Sequence, residues 1–200
     1  MNAPGFGAKP AILRCGRCGK FVDWQDARLQ VVCGCRPHLE LPPVLVREAS
    51  TSDRLEALEL FKRDFGPAQL VAYREAISLD DAAALVAETD GEIAGALAWR
   101  PFDGALHILA LATDPMWQRA GVGGHLVAEA ELLARRQKWS RVIVTIANDN
   151  LPALYFYQRR GYRMSAILHD SIAAHTRHER VAGFAGIPIL DEIQLAKDLQ

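Results

Sequence analysis

The chain has 200 residues, of which 50% are hydrophobic and 24% are charged. This composition supplies a sizeable core, which excludes general intrinsic disorder and leaves room for one or two domains. With 23 basic and 24 acidic side chains, the net charge of −1 provides no chain-wide positive field for nucleic acid. No apolar run is long enough to cross a bilayer, and no apolar signal core opens the sequence. We therefore expect a soluble, cytoplasmic protein without a membrane partner.

All four cysteines lie near the N-terminus, in the pairs Cys15-x-x-Cys18 and Cys33-x-Cys35. A reducing cytoplasm disfavours disulfides, whereas two close thiolate pairs supply the four ligands of a tetrahedral zinc ion. The short spacing of the second pair leaves His38 open as a substitute ligand. Because four thiolates close the coordination shell, the sequence predicts a structural zinc that takes no part in chemistry.

The cysteine segment ends at Pro42-Pro43, which cannot continue a regular element and marks a linker. Apolar residues between the two cysteine pairs suit a hairpin packed around the metal, so this segment resembles a zinc ribbon. We therefore expect a zinc-ribbon-like four-cysteine module with its linker over 1–43 and a second domain over 44–200. The module carries more basic than acidic residues, which leaves a protein contact or a weak RNA contact open.

Hydrophobic periodicity and turn signals predict alternating strands and helices along the second domain. Alternating and β-branched apolar runs indicate strands, whereas apolar positions three and four residues apart indicate helices. Strands are predicted over 44–47, 83–88, 93–99, 106–113, 141–147, 162–168 and 192–196. Helices are predicted from Asp53 to Gly66-Pro67, over 69–78, from Val122 to about Lys138, and over 152–160. Tight turns at Asp90-Gly91 and Asp103-Gly104 join three of the strands, and the whole order predicts an α/β domain around one mixed sheet.

A glycine-rich loop lies between the strand at 106–113 and the helix that begins at Val122. It reads Gln118-Arg119-Ala120-Gly121-Val122-Gly123-Gly124. Glycines let backbone N–H groups approach a ligand closely, and a helix N-terminus favours a phosphate. The loop lacks the Lys-Ser/Thr of a P-loop and the third spaced glycine of the dinucleotide fingerprint. A glycine-rich helix start that packs on the sheet remains the alternative.

Two motifs in order carry a resemblance to a known family. The first is Gln118-x-x-Gly121-x-Gly123, after a strand that ends Leu111-Ala112-Thr113-Asp114-Pro115. The second, about thirty residues on, is Asn150-x-x-Ala153-x-x-Phe156-Tyr157-x-x-x-Gly161-Tyr162. Together they closely resemble the GNAT superfamily of N-acetyltransferases, over roughly 44–199. The resemblance implies the family's mixed, mainly antiparallel sheet flanked by helices, and it does not cover the cysteine segment.

The resemblance further implies transfer of an acetyl group from acetyl-CoA to an amine in a direct ternary complex. The loop amides would bind the pyrophosphate of CoA, and the end of the strand, splayed from its neighbour, would pair with pantetheine. Asn150 would add a hydrogen bond to pantetheine. The implied cofactor-binding residues are Leu111, Ala112, Thr113, Gln118, Arg119, Ala120, Gly121, Val122, Gly123, Gly124, Asn150, Ala153 and Tyr157.

Two residues are candidates for the chemical step. Tyr157 matches the family tyrosine that faces the sulfur, where a phenol can protonate the leaving thiolate; the alternative is that it only packs. His107 stands where several relatives carry a Glu or His implicated as a base, and its ordinary pKa near ~6.5 suits that role. A hydrogen-bonded sheet histidine is the alternative there.

Three further interpretations bear on function. His169, Asp170, His175, His178 and Glu179 cluster in the connection before the last strand, and we expect a solvated polar loop there rather than a metal site. A non-catalytic acetyl-CoA-binding module, whose zinc ribbon docks a protein or RNA, is the main functional alternative. A nucleic-acid-binding zinc protein is a third class, which the near-neutral charge disfavours. The sequence does not name the acceptor amine.

Overall fold

The computed structural model divides into two compact units, Met1–Leu41 and Pro42–Gln200. The structure describes residues 43–66, 69–118, 120–175 and 181–199, together with the backbone of 13–14 and 21–22. In the first unit, the two-residue strands β1 (Leu13–Arg14) and β2 (Phe21–Val22) pair antiparallel. The predicted zinc ligands Cys15, Cys18, Cys33 and Cys35, and the substitute His38, lie outside the described residues.

The second unit alternates strands and helices around one large sheet. Its strands are β3 (Leu45–Glu48), β4 (Gln69–Ala72), β5 (Glu75–Ser78), β6 (Ala83–Thr89), β7 (Glu92–Phe102), β8 (Ala105–Thr113), β9 (Arg141–Ala147), β10 (Arg163–Leu168) and β11 (Glu192–Asp198). Its helices are α1 (Arg54–Phe65), α2 (Val122–Arg136), α3 (Leu151–Gln158) and α4 (Ser171–His175). None of the helices that the structure describes is long and apolar enough to cross a membrane.

Seven strands form the sheet in the order β10-β11-β9-β8-β7-β6-β3. Every neighbouring pair is antiparallel except β8 and β9, which run parallel. A parallel pair requires a crossover connection, and α2 lies in the segment that joins these two strands. The α/β fold with a mixed, mainly antiparallel sheet flanked by helices is therefore confirmed.

The two faces of the sheet carry separate cores. On one face, Leu126 and Ala130 of α2 pack with Leu106 and Val144 of the central strands. On the other face, Phe61 of α1 belongs to a second core, together with strand residues whose side chains point to that side of the sheet. This alternation follows from the pleat, because successive side chains of a strand point to opposite faces.

The predicted helix over 69–78 is wrong, because this segment forms the β4–β5 hairpin. The register pairs Ala72 with Glu75, so that Tyr73 and Arg74 make a two-residue turn, both with positive φ (57° and 63°). Ala72 and Ile77 are buried in the second core. The extended conformation places these apolar side chains on the core. The turn is held by Glu192, whose carboxylate accepts hydrogen bonds from the N–H groups of Tyr73 and Arg74.

Candidate active site

A cavity of about 760 Å³ opens where β8 and β9 part. The two strands pair from Ala105 and Arg141 as far as Ile108 and Val144, and no further. Beyond that point β8 continues along β7, and β9 continues along β11. We call the space between 109–111 of β8 and 145–147 of β9 the interstrand cavity. The start of α2 and the inner side of α3 form part of its wall, together with residues of α1, β4 and α4.

The interstrand cavity collects most of the cofactor-binding residues predicted from the motifs. They come from β8, the glycine loop, the start of α2 and both ends of α3, which are distant in sequence. Those that line it are Leu111, Thr113, Gln118, Gly121, Val122, Gly123, Gly124, Asn150, Ala153 and Tyr157. Ala112 and Ala120 are buried and do not line the cavity, and Arg119 lies outside the described residues.

The backbone of β8 divides its polar groups between β7 and the cavity. The N–H of Asp114 donates to the carbonyl of Ala94 at 2.9 Å, which marks a hydrogen-bonded pair with β7. Such pairs alternate along an antiparallel ladder, so Ala112 also bonds to β7, whereas Leu111 directs its N–H and C=O toward β9. Because β9 has diverged there, the backbone of Leu111 offers an unfilled strand edge to a peptide-like ligand.

The glycine loop forms the N-terminus of α2. Gly121 is its N-cap residue in the left-handed conformation, with φ 91°, and its carbonyl accepts the N–H of Gly124 at 2.8 Å. A side chain other than glycine is strained at that φ. The first N–H groups of a helix lack partners within the helix and attract an anion. The end of the cavity nearest α2 is therefore suited to a phosphate.

Asn150 and Tyr157 lie at opposite ends of α3. The Asn150 side-chain oxygen caps the helix by accepting the N–H of Ala153 at 3.1 Å, which leaves its NH₂ group for a ligand. Tyr157 is 3% exposed and makes edge contacts with the rings of Phe156 and Tyr162. Burial raises the pKa of the Tyr157 hydroxyl, so it is protonated at neutral pH and able to donate.

His107 lies beside the cavity rather than in its wall. Its side chain is buried and packs between the rings of Tyr73 and Phe102, with centroid distances of 4.6 and 5.4 Å. Its Nδ1 finds no hydrogen-bond partner in the described part of the chain. Burial, with a smaller effect of the Arg100 charge, lowers the pKa of His107 to about 4. The imidazole is therefore neutral at pH 7.

The connection between β10 and β11 borders the same cavity. Ile172 of α4 lines it, while His169 and Asp170 are exposed. His175 is also exposed, and its Nδ1 lies 2.8 Å from the carbonyl of Ser171. His178 and Glu179 are outside the described residues. Within the described ranges, no three His, Cys, Asp or Glu side chains are grouped as metal ligands.

Sequence reasoning missed two features of this region. Arg160 lines the cavity beside Gly124, although the sequence marks it only as the end of α3. Tyr73 places its hydroxyl 3.0 Å from the Ile108 carbonyl and 3.2 Å from the Ile143 carbonyl, beside the end of the β8–β9 pairing, where Ile108 is the last paired residue of β8. The adjacent pair Arg159-Arg160 was a usable signal for the first, but no local pattern pointed to the second.

Comparison with known families and structures agrees with this geometry. The model of the acetyltransferase (GNAT) family matches residues 52–162. A crystal structure of a GNAT family acetyltransferase from Elizabethkingia anophelis, with acetyl-CoA bound, has a similar fold with a TM-score of 0.58 at 21% identity. That similarity covers 78% of this chain and 98% of the other.

Two relatives are similar in sequence. Protein YxbD of Bacillus subtilis (strain 168) is 28% identical over 144 residues, which are 70% of this chain and 89% of the relative. Blasticidin-S acetyltransferase of Streptomyces morookaense is 34% identical over 88 residues, which are 44% of this chain and 64% of the relative. The name of the Streptomyces relative, an acetyltransferase, is consistent with the family match.

Proposed function

The chain belongs to the GNAT family of acetyltransferases, and on this premise we propose that it transfers the acetyl group of acetyl-CoA to an amine. One observation carries the proposal. The parting of β8 and β9 creates a cavity whose wall includes both the glycine-bearing start of α2 and Tyr157. A phosphate-binding helix start and a phenol donor in one cavity are what a CoA thioester requires at its two ends.

The proposed placement of acetyl-CoA follows the polar groups of this cavity. The pyrophosphate lies on the glycine loop 119–124, at the N–H groups other than those of Ala120 and Gly124, which donate to the Trp117 and Gly121 carbonyls. The pantetheine amides pair with the backbone at Leu111, and the Asn150 NH₂ adds a hydrogen bond. Thr113 contributes less through its carbonyl, because Arg63 donates to that oxygen at 2.9 Å. The thioester then lies near Tyr157.

The proposed reaction is direct attack in a ternary complex. The neutral amine nitrogen attacks the thioester carbonyl carbon, and the tetrahedral intermediate collapses with cleavage of the carbon–sulfur bond. The Tyr157 hydroxyl donates its proton to the departing thiolate, and the amine loses a proton to a base. The products are the N-acetyl amine and the free thiol of CoA. A protonated phenol fits this role, because the sulfur gains charge only as the bond breaks.

We propose His107 as the base, acting through water. The imidazole is neutral at pH 7 and can therefore accept a proton. His107 is not among the described residues that line the cavity. A water molecule is therefore needed to connect the amine with the imidazole. A pKa of about 4 makes this histidine a weak base, so its contribution to the rate has to be measured separately from that of Tyr157.

The N-terminal residues carry a separate proposal. We propose that residues 1–43 form a zinc-ribbon-like module with its linker, that Cys15, Cys18, Cys33 and Cys35 hold one zinc ion, and that 44–200 form the transferase domain. The support for the metal is the paired spacing of the thiols in the sequence. The module would contribute a protein or RNA contact and no chemistry.

Thiol release tests the proposed function. The full chain is incubated with acetyl-CoA and pools of polyamines, amino acids, aminoglycosides and peptides, and with blasticidin S, because one relative is named for acetylating it. We expect amine-dependent release of free CoA thiol by at least one pool, and mass spectrometry of that pool then identifies the acceptor. Binding of acetyl-CoA without turnover by any pool would favour the non-catalytic binding module instead.

A further inference from the structure

Arg160 follows α3, and its side chain folds back along that helix. Its Nη1 donates to the carbonyl of Phe156 at 3.0 Å, and the centre of its guanidinium lies 3.7 Å from the centroid of the Phe156 ring. One hydrogen bond and one stacked ring therefore fix the plane of the guanidinium. Because the group is held before any ligand arrives, little side-chain entropy remains to be lost on binding.

The free edge of this guanidinium points at the first turn of α2. A Cβ atom added to Gly124 would lie 2.6 Å from Nη2 of Arg160, a distance that real Cβ contacts do not show. Gly124 therefore makes room for Arg160 as well as for a ligand. Both residues line the interstrand cavity, so a cation stands directly beside the helix start that favours an anion.

The charge of Arg160 has no counter-ion in the part of the chain that the structure describes. Among the residues that the structure describes, no carboxylate lies within ion-pair distance of its guanidinium. Glu131, whose charge acts on Arg160, is already bound by Lys197, with oxygen–nitrogen distances of 2.7 and 2.9 Å. Burial lowers the pKa of Arg160, which shows that the cation is partly removed from water. A partly buried, unpaired guanidinium in a cavity is stabilised by an anionic ligand.

We propose that Arg160 binds the diphosphate of CoA, with Nη2 donating to a phosphate oxygen that also accepts backbone N–H groups at the start of α2. The inference rests on the proposed function, because it takes CoA as the ligand. The diphosphate is favoured over the 3′-phosphate because Nη2 reaches Gly124, in the turn where the loop amides lie. The planar fork of an arginine matches phosphate oxygens in a way that a lysine ammonium does not.

Calorimetric titration of the full chain with CoA and with dephospho-CoA, which lacks only the 3′-phosphate, tests the proposal. Arg160→Leu is expected to weaken binding of both ligands by the same factor, on the order of tenfold to a hundredfold. Arg159→Leu is the matched control, because Arg159 is the exposed neighbour that contacts Tyr155. It should change both affinities by less than about twofold.

Each other outcome overturns the proposal in a recognisable way. A loss for CoA but not for dephospho-CoA would assign Arg160 to the 3′-phosphate, and no loss for either would remove it from the site. If the folded wild-type chain binds neither ligand, the proposed function fails together with the inference. If the wild-type chain binds CoA and the Arg160→Leu variant binds it equally well, the inference about Arg160 is refuted and the proposed function is not.

Two additional variants guard against a folding effect. Arg160→Lys keeps a cation but loses the planar fork, and we expect an affinity between wild type and Arg160→Leu. Gly124→Ala places a Cβ close to Nη2 of Arg160, so it should weaken CoA binding in the wild-type background. In the Arg160→Leu background the same substitution should lower the affinity for CoA by a clearly smaller factor. Equal losses in both backgrounds would show that the two positions act independently, which contradicts the proposed arrangement.

Discussion

The carboxylate of Glu192 accepts a hydrogen bond of 2.6 Å from the backbone N–H of Tyr73. It also accepts the N–H of Arg74 at 3.0 Å and the hydroxyl of Thr145 at 3.2 Å, and Glu192 is fully buried. A single acid on β11 thus holds the turn of the β4–β5 hairpin. Because the Tyr73 hydroxyl reaches the carbonyls of Ile108 and Ile143, next to the point where β8 and β9 part, this acid also helps to position the phenol beside the opening of the sheet.

Removing this acid should destabilise the domain. Glu192→Ala leaves the N–H groups of Tyr73 and Arg74 without their acceptor, and we expect the free energy of unfolding to fall by about 1–3 kcal/mol. Glu192→Gln should not restore it, because Tyr73 and Arg74 donate to different oxygens and an amide offers only one. Urea denaturation measures the change. Glu59→Ala, at an exposed position, is the control, and equal stability of the Glu192→Ala and Glu59→Ala variants would contradict the prediction.

Local sequence was sufficient for most of the large sheet. The turn at Asp90-Gly91 has positive φ at both residues, 52° and 80°, as its composition predicts, and α2 buries Leu126 and Ala130 at the expected spacing. The β4–β5 hairpin was mistaken for a helix. Its turn residues, Tyr73 and Arg74, are not typical of positive φ, and the acid that stabilises the turn is more than a hundred residues away in sequence.

The residues of the candidate site that belong to sequence motifs could be predicted from the sequence. The glycine loop lies at the start of α2, and Asn150 and Tyr157 lie at the two ends of α3. Both helices pack against the sheet, which brings these residues together in the interstrand cavity. The direction of His107 was not predictable, since a shift of one residue reverses the face and a bulge between Ala98 and Trp99 alters the register of its strand. The pair Arg159-Arg160 signals a positive charge at the end of α3, but the position of the Arg160 side chain depends on how closely α3 approaches α2, which no local pattern encodes.

Tyr157→Phe isolates the proposed acid. The change keeps the buried ring and removes only the phenol oxygen, so kcat should fall by about 10²- to 10⁴-fold while the affinity for acetyl-CoA stays near wild type. Steady-state kinetics and calorimetry measure the two quantities. Tyr155→Phe is the matched control, because its hydroxyl contacts Arg159 on the exposed side of α3. Wild-type turnover by Tyr157→Phe would refute the assignment.

Gly121→Val tests the glycine loop as the pyrophosphate site. We expect acetyl-CoA affinity to fall by roughly tenfold or more, on the order of 1.4 kcal/mol, because valine disturbs the left-handed N-cap and crowds the loop amides. Gly91→Val controls for backbone strain, since Gly91 also has positive φ, 80°, and a Cβ added there would meet no atom within 4 Å. It should lower stability and leave affinity unchanged. Equal affinities of the two folded variants would count against the loop.

The proposed zinc is tested on the full chain by metal analysis. One equivalent of zinc per chain is expected from the four thiols, and Cys18→Ser should release it because three thiolates close the site less well. Acetyl-CoA binding, measured in parallel, should survive the substitution, since the predicted cofactor residues belong to the second unit. Metal-free native protein, or two disulfides found by mass spectrometry, would overturn the assignment.

His107 makes a prediction about stability and pH. Its pKa is lowered in the folded protein to about 4, whereas an unfolded histidine titrates near ~6.5. Between these values the unfolded chain binds more protons, so the free energy of unfolding should decrease by about 3 kcal/mol as pH falls from 6.5 to below 4. His107→Gln removes this contribution, and denaturation curves collected across that pH range should show a shallower decline than wild type.

The same substitution decides whether His107 is the base. If His107 is the base, kcat/KM should fall with pH as the imidazole becomes protonated. Because its pKa is about 4, this fall should lie well below the pH of 6 to 7 expected for an unperturbed imidazole. His107→Gln should lower kcat/KM at neutral pH and abolish that fall, while acetyl-CoA affinity remains unchanged because the ring stands outside the cavity wall of the described chain. If the variant keeps both its rate and its pH profile while losing only the acid dependence of stability, His107 is a buried sheet residue, and the amine either binds neutral or gives its proton to another group.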